Sequence, residues 1–130
     1  MEGPALSVVM PAFNEAENLP QVLAELAAGL DALGLGWEVL VVDDGSTDDT
    51  GVVLDRLGGA MGGLRQIRLG SNLGKSGALD AGLARAQGRV VVLMDADGQD
   101  DPGCLIELLS ALDAGLDMVT GSRSANRADR

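Results

Sequence analysis

The chain has 130 residues, 46% hydrophobic and 22% charged, a size and balance that suit one folded domain with a substantial core. Its net charge of −11 argues against a general nucleic-acid binder, and a phosphorylated ligand would need a metal ion or local cations to offset repulsion. With no histidine and a single cysteine, Cys104, the sequence excludes a Ser-His-Asp triad, ordinary histidine-ligated metals, an intrachain disulfide and a cysteine-based zinc site.

Leu6 to Met10 reads as a first strand stopped by Pro11, and Pro11-Ala12-Phe13-Asn14-Glu15 leads into a helix from about Asn18 to Leu33. Leu19, Val22, Leu23, Leu26, Leu30 and Leu33 form that helix's apolar stripe, and Gly34 and Gly36 end it. Trp37 to Val42 is the second strand and runs into Asp43-Asp44-Gly45-Ser46. Ser46 followed three later by Asp49 predicts a variant capping box, opening a short helix through Leu57. Gly58, Gly59, Gly62 and Gly63 then predict a flexible connection to a third strand, Leu64 to Leu69. A loop, Gly70 to Lys75, precedes a helix from Ser76 to about Ala86, capped by Gly88.

The fourth strand starts at Val90 as an apolar, β-branched run without alternation, which suits a strand buried on both faces of a parallel sheet. A last helix is expected from Pro102 to Ala114, with Cys104 an inert buried thiol, and Met118 to Thr120 as a fifth strand. Strands alternate with helices throughout, which predicts an α/β fold with a mostly parallel sheet and helices on both faces. In such sheets ligands sit outside the carboxyl ends of the strands. Those ends carry Asn14 and Glu15, Asp43 and Asp44, Gly74 and Lys75, Asp95 and Asp97, and Arg123.

The fourth strand's end, Met94-Asp95-Ala96-Asp97-Gly98-Gln99-Asp100-Asp101-Pro102, has two readings. Asp95 and Asp97 are two apart and leave an extended strand on the same side, with Gln99 continuing the parity. Such hard oxygen ligands suit Mg²⁺ or Mn²⁺. The other reading is a solvated acidic turn opening the next helix, with Asp101 as N-cap and Pro102 at its first position.

Three nucleotide or phosphate sites are set aside. A dinucleotide-binding G-x-G-x-x-G should follow the first strand, where this chain has Pro11 to Glu15. Gly70-Ser71-Asn72-Leu73-Gly74-Lys75-Ser76 nearly spells a P-loop but has three residues between its glycines where the phosphate cradle needs four. Lys75 is then a local cation near a diphosphate or a solvated loop lysine. A phospho-receiver domain, the remote non-enzymatic alternative, needs its acid pair after the first strand; here the pair follows the second.

Val8 to Glu15, Val41-Val42-Asp43-Asp44-Gly45-Ser46, Asn72-Leu73-Gly74-Lys75 and Asp95 to Pro102, taken in order, resemble the family 2 glycosyltransferases with a GT-A fold. The nearest resemblance is to polyprenyl-phosphate sugar transferases of the dolichyl-phosphate mannosyltransferase kind, and it covers nearly the whole chain. It implies a metal-dependent inverting transfer of a sugar from a UDP- or GDP-sugar to a polyprenyl phosphate at a membrane surface.

On matching positions, the resemblance implies that Pro11, Phe13 and Glu15 line the ribose and base, and that Val42 and Asp44 hold the base edge. Asp95 and Ala96 would contact the nucleotide, with Lys75 a nearby cation. Asp95, Asp97 and Gln99 would hold Mg²⁺ or Mn²⁺ at the diphosphate. Arg123 would meet the lipid phosphate or the donor diphosphate, and Asp129 would be the general base. Individual residues keep a plainer alternative: Asp43 orients the turn, and Ser46 is an N-cap.

Relatives continue past the point where this chain stops, with an acceptor-binding region and often transmembrane segments. The whole chain, 1–130, is therefore expected to be a nucleotide-sugar-binding domain, truncated or a minimal donor-binding half, with a catalytically incomplete binding module as the alternative to a transferase. No apolar stretch reaches the ~18 residues needed to span a bilayer, and no leader pattern opens the chain. The expected location is cytoplasmic, at the cytoplasmic face of the membrane for the full-length protein.

Overall fold

The computed structural model describes residues 4–34, 36–96 and 118–120, the last three by strand path only. Among the described residues, eight elements follow in chain order: β1 (Leu6–Ala12), α1 (Leu19–Ala32), β2 (Trp37–Asp43), α2 (Thr50–Ala60), β3 (Leu64–Arg68), α3 (Gly74–Arg85), β4 (Val90–Leu93) and β5 (Met118–Thr120). The five described strands run parallel, in the order β3-β2-β1-β4-β5. The chain winds outward from β1 to β3 and then returns to β4 on the other side of β1, so the sheet reverses direction between β1 and β4. That is the place where an open parallel sheet leaves a crevice. The helix expected from Pro102 to Ala114, with Cys104, lies outside the described residues.

Strand alternation sorts the core into two layers. Leu6, Val8, Met10 and Ala12 of β1 join Val39 and Val41 of β2 and Val92 of β4 beneath α1 and α2. Val9, Leu40, Val42 and Ile67 face the other way and pack with Ala78 of α3. From α1, Leu19, Val22, Leu23, Leu26 and Leu30 are buried, as their spacing predicts, and each buried side chain of this kind contributes about 1.5–3 kcal/mol. Leu33 is only partly buried. Gly34 follows with φ 73°, the left-handed geometry that ends a helix at glycine.

Four local expectations are corrected. Pro11 does not stop β1, which continues to Ala12. The Val9 carbonyl accepts from Met94 of the β4 segment and the Ala12 carbonyl from Asp44 of the β2 segment. Odd-numbered residues of β1 thus turn their peptide groups toward β4, whose pairing ends opposite Val9, and Pro11 gives up an amide where the ladder has stopped.

Gly58 and Gly59 are helical rather than a flexible connection, because α2 runs to Ala60, and its Leu57 and the following Met61 pack on the core. Helix α3 starts at Gly74, two residues earlier than expected, which puts Lys75 in its first turn. Gly88 does not cap α3. Its amide donates to Ser7 Oγ at 2.8 Å, and an added Cβ would lie 2.6 Å from the Ser7 nitrogen, so glycine there permits a close crossing of two backbones.

Candidate active site

The crevice at the β1–β4 reversal is a cleft of about 310 Å³ at the carboxyl ends of the strands. Pro11, Ala12, Phe13 and Glu15 line it from the end of β1, and Asp44 lies behind β2. Asn72, Gly74 and Lys75 come from the start of α3, and Asp95 and Ala96 from the end of β4. Of the expected site residues, the structure therefore brings together Pro11, Phe13, Glu15, Asp44, Lys75, Asp95 and Ala96. It does not bring Val42, whose side chain is fully buried under α3 among Val9, Leu40, Ile67 and Ala78. Asp97, Gln99, Arg123 and Asp129 lie outside the described residues.

Strand parity explains which acid goes where. Val42 faces α3, so Asp44, two residues on, is on that side too, and its buried carboxylate accepts from the amides of Leu73 at 2.7 Å and Gly74 at 3.0 Å. These are amides at the start of α3 with no helical partner, so Asp44 caps this helix from another loop. Asp43 has the opposite parity. Its Oδ1 accepts from the Ser46 amide at 3.0 Å, which orients the turn as the plainer reading of Asp43 expects. Val91 and Leu93 pack on α3's side, and Asp95 continues that parity to reach the Lys75 ammonium at 2.7 Å.

The expected capping box is absent. Asp49 stands at the N-cap of α2 without a side-chain hydrogen bond, and the Ser46 hydroxyl instead accepts from the Asn14 amide at 2.9 Å. Asn14 Oδ1 in turn accepts from the amides of Thr47 at 2.8 Å and Asp48 at 3.2 Å. Thr50 Oγ1 accepts from the Glu15 amide at 3.0 Å and donates to Asp48. The Thr50 hydroxyl holds the Asp48 carboxyl below its ordinary pKa, outweighing the opposing effect of burial with help from the amides of Thr50 and Ala16. Gly45, at φ 75°, brings this loop against the next one: an added Cβ would stand 2.7 Å from the Asn72 nitrogen. Asn14, Thr50 and Asn72 carried no assigned role in the sequence. The available signal was Asn14 itself, since asparagine tolerates the left-handed region better than other non-glycine residues.

Phe13, the only phenylalanine in the chain, is 44% exposed on the cleft, an apolar face open to a flat ligand. Lys75 supplies a cation and Asp95 a hard anion to the same lining. Among the described residues, no three carboxylates or thiols converge to hold a metal by themselves. A polar ligand with a flat ring and a negatively charged tail matches this lining.

A family model described as Glycosyl transferase family 2 matches residues 7–130. The chain belongs to this family. An uncharacterized glycosyltransferase of Mycobacterium tuberculosis is 42% identical over 123 residues, covering 95% of this chain and 50% of that protein. The undecaprenyl-phosphate 4-deoxy-4-formamido-L-arabinose transferase of Salmonella paratyphi A is 34% identical over 125 residues, covering 95% of this chain and 38% of the relative.

Among solved structures, a mannosyltransferase from Pyrobaculum calidifontis in complex with GDP-Man and Mn²⁺ is similar at a TM-score of 0.71 and 27% identity, over 88% of this chain and 34% of that one. Glucosyl-3-phosphoglycerate synthase from M. tuberculosis in complex with UDP gives a TM-score of 0.68 at 30% identity, over 87% and 41%. The family 2 domain thus has the GT-A, Rossmann-like sheet that its motifs imply, and it spans half or less of the length of these relatives.

Proposed function

We propose that residues 1–130 form the nucleotide-sugar-binding domain of an inverting, metal-dependent glycosyltransferase that moves a sugar from a UDP- or GDP-sugar to a polyprenyl phosphate. The observation that carries this reading is the cleft at the sheet reversal, lined by Phe13 and Glu15 and by the Lys75–Asp95 pair. Similar proteins support it by what their names state: GDP-Man with Mn²⁺ in one structure, UDP in another, and an undecaprenyl phosphate substrate in a curated relative.

In this reading Phe13 and Pro11 pack against the base and ribose, while Glu15 takes a hydroxyl hydrogen bond. Asp44 acts from behind, fixing the start of α3 so that Lys75 stands where the diphosphate would lie. Asp95 already draws an ammonium to 2.7 Å, so the position concentrates positive charge, and a strand-end carboxylate suits Mg²⁺ or Mn²⁺. Asp95 fits such an ion, and Asp97 and Gln99 would complete its ligands. When bound, the ion supplies Lewis acidity to the departing nucleoside diphosphate. Arg123 would hold a phosphate of donor or acceptor, and Asp129 would stand as the general base, a role that an ionised acceptor hardly requires. A phosphate acceptor is already ionised, which leaves alignment for in-line attack as the protein's main task. A lipid acceptor places the reaction at a membrane surface, the cytoplasmic face in our reading. No described helix is long and apolar enough to cross one.

Isothermal titration of UDP and GDP with Mn²⁺ tests the donor site: micromolar-range binding of one nucleotide, lost in Asp97→Ala with the fold intact, is expected. Binding of neither would sink the donor reading. Sugar transfer to a short polyprenyl phosphate by the 130-residue chain distinguishes a transferase from a donor-binding module without turnover.

A further inference from the structure

Phe13 and Glu15 both line the cleft, and the residue between them does not. Asn14 has φ 57°, the single positive value at a non-glycine position among the described residues. That conformation sends Phe13 and Glu15 into the cleft and turns the Asn14 side chain away from it, onto the loop after β2. There, one amide oxygen accepts from the Thr47 and Asp48 amides and lies 3.4 Å from the Thr47 hydroxyl, while the Asn14 amide donates to Ser46 Oγ. These bonds join segments 32 to 34 residues apart. The Glu15 amide is held in turn by Thr50 Oγ1.

We infer that Asn14 is a positioning residue: it sets the two nucleoside-facing side chains by locking the β1 exit to the β2 exit, without touching the donor itself. The inference rests on the donor-site reading above. Asn14 supplies two things at once, tolerance of the left-handed backbone and an acceptor for two otherwise unpaired amides. Aspartate supplies both. Glycine supplies only the backbone, and alanine supplies neither.

The test is titration of UDP, GDP and inorganic pyrophosphate, each with Mn²⁺, into the full chain and its Asn14→Ala, Asn14→Gly and Asn14→Asp variants. Losing two hydrogen bonds that order a binding wall corresponds to about tenfold in affinity. Asn14→Ala and Asn14→Gly are expected to lose that factor for the nucleotide, and Asn14→Asp to restore it. Pyrophosphate, which has no base or ribose to meet Phe13 and Glu15, is expected to bind all four proteins alike. Faster hydrogen exchange of the Thr47 and Asp48 amides is expected in the alanine and glycine variants alone.

Nucleotide binding by Asn14→Ala at the wild-type affinity would overturn the inference, as would full rescue by Asn14→Gly. An equal loss of pyrophosphate would also overturn it, since that is general damage to the fold. A wild-type chain that binds neither nucleotide would remove the donor-site reading and this inference with it.

Discussion

The Lys75 ammonium lies 2.7 Å from Oδ1 of Asp95, joining the first turn of α3 to the end of β4 in the lining of the cleft. The two residues are brought together by sheet order and strand parity, since α3 lies over the face on which Val91 and Leu93 pack. Lys75 is 62% exposed and Asp95 31%, so water screens the pair and it contributes at most about 1 kcal/mol to stability. Its value is placement. Lys75→Met is expected to leave the denaturation midpoint nearly unchanged while lowering affinity for a nucleoside diphosphate about tenfold, the scale of one lost charge-assisted hydrogen bond. Calorimetry of unfolding and of UDP or GDP binding on the same samples checks it; unchanged affinity would leave Lys75 a solvated loop lysine.

Asp44 is expected to matter for the fold whether or not it also meets a base. Removing its carboxylate in Asp44→Ala leaves the Leu73 amide without its acceptor and the Gly74 amide with Asn72 Oδ1 alone, at 3.1 Å, a loss of about 1–2 kcal/mol for a helix cap. Urea denaturation measures the loss. Faster exchange of those two amides, with the amides of α1 unaffected, would place it at the start of α3.

At the opposite end of the sheet, Glu38 accepts from Ser7 Oγ at 2.6 Å, the Gln87 amide at 2.8 Å and the Arg65 guanidinium at 2.7 Å. Burial raises its pKa, but these three hydrogen bonds and the Arg65 charge outweigh it, and the folded-state value is lowered. The unfolded chain then takes up this proton more readily than the folded one. The stabilisation is complete above the ordinary glutamate value of about 4.3 and is lost as pH falls through the lower folded value. Urea midpoints at pH 7 and pH 3 should show Glu38→Gln less stable at pH 7, with the gap to wild type narrowing at pH 3. A gap that is constant with pH would contradict the assignment.

Two helical glycines should respond in opposite directions to alanine. Gly58 in α2 has open space where a Cβ would go, so Gly58→Ala is expected to stabilise by about 0.5–1 kcal/mol. Gly82 in α3 lies directly on Val9 and Val42, and a Cβ there would collide with Val9. The overpacking costs about 1–3 kcal/mol, more than the helix propensity returns, so Gly82→Ala is expected to destabilise. Thermal denaturation of both variants decides this, and stabilisation by Gly82→Ala would show that α3 can lift from the sheet.

Helix α1 was legible residue by residue because its signal is local. Five apolar side chains at helical spacing need only one face to be buried, and Gly34 supplies the left-handed stop. The β1 exit was legible only as a motif. Pro11 looked like a strand terminator because a lone sequence does not show that its missing amide faces a ladder already ended. Ser46 looked like an N-cap because Asp49 lies three residues on, yet its hydroxyl goes to Asn14, and nothing within either loop indicates the other. Val42 stood beside Asp44 in the motif, but alternation in the strand sends it into the core.

By itself the sequence determined an α/β chain of alternating strands and helices, with polar residues gathered at the strand exits and four ordered motifs sufficient for its family. Those features reside in hydrophobic periodicity and turn chemistry, which act over a few residues. The order β3-β2-β1-β4-β5 was decided only in three dimensions. So were the meeting of Lys75 with Asp95, the capping of α3 by Asp44, and the lock of Asn14 onto the loop after β2. Each joins groups far apart in sequence, and such contacts form only when the sheet has assembled and buried backbone amides must find an acceptor wherever packing has put one.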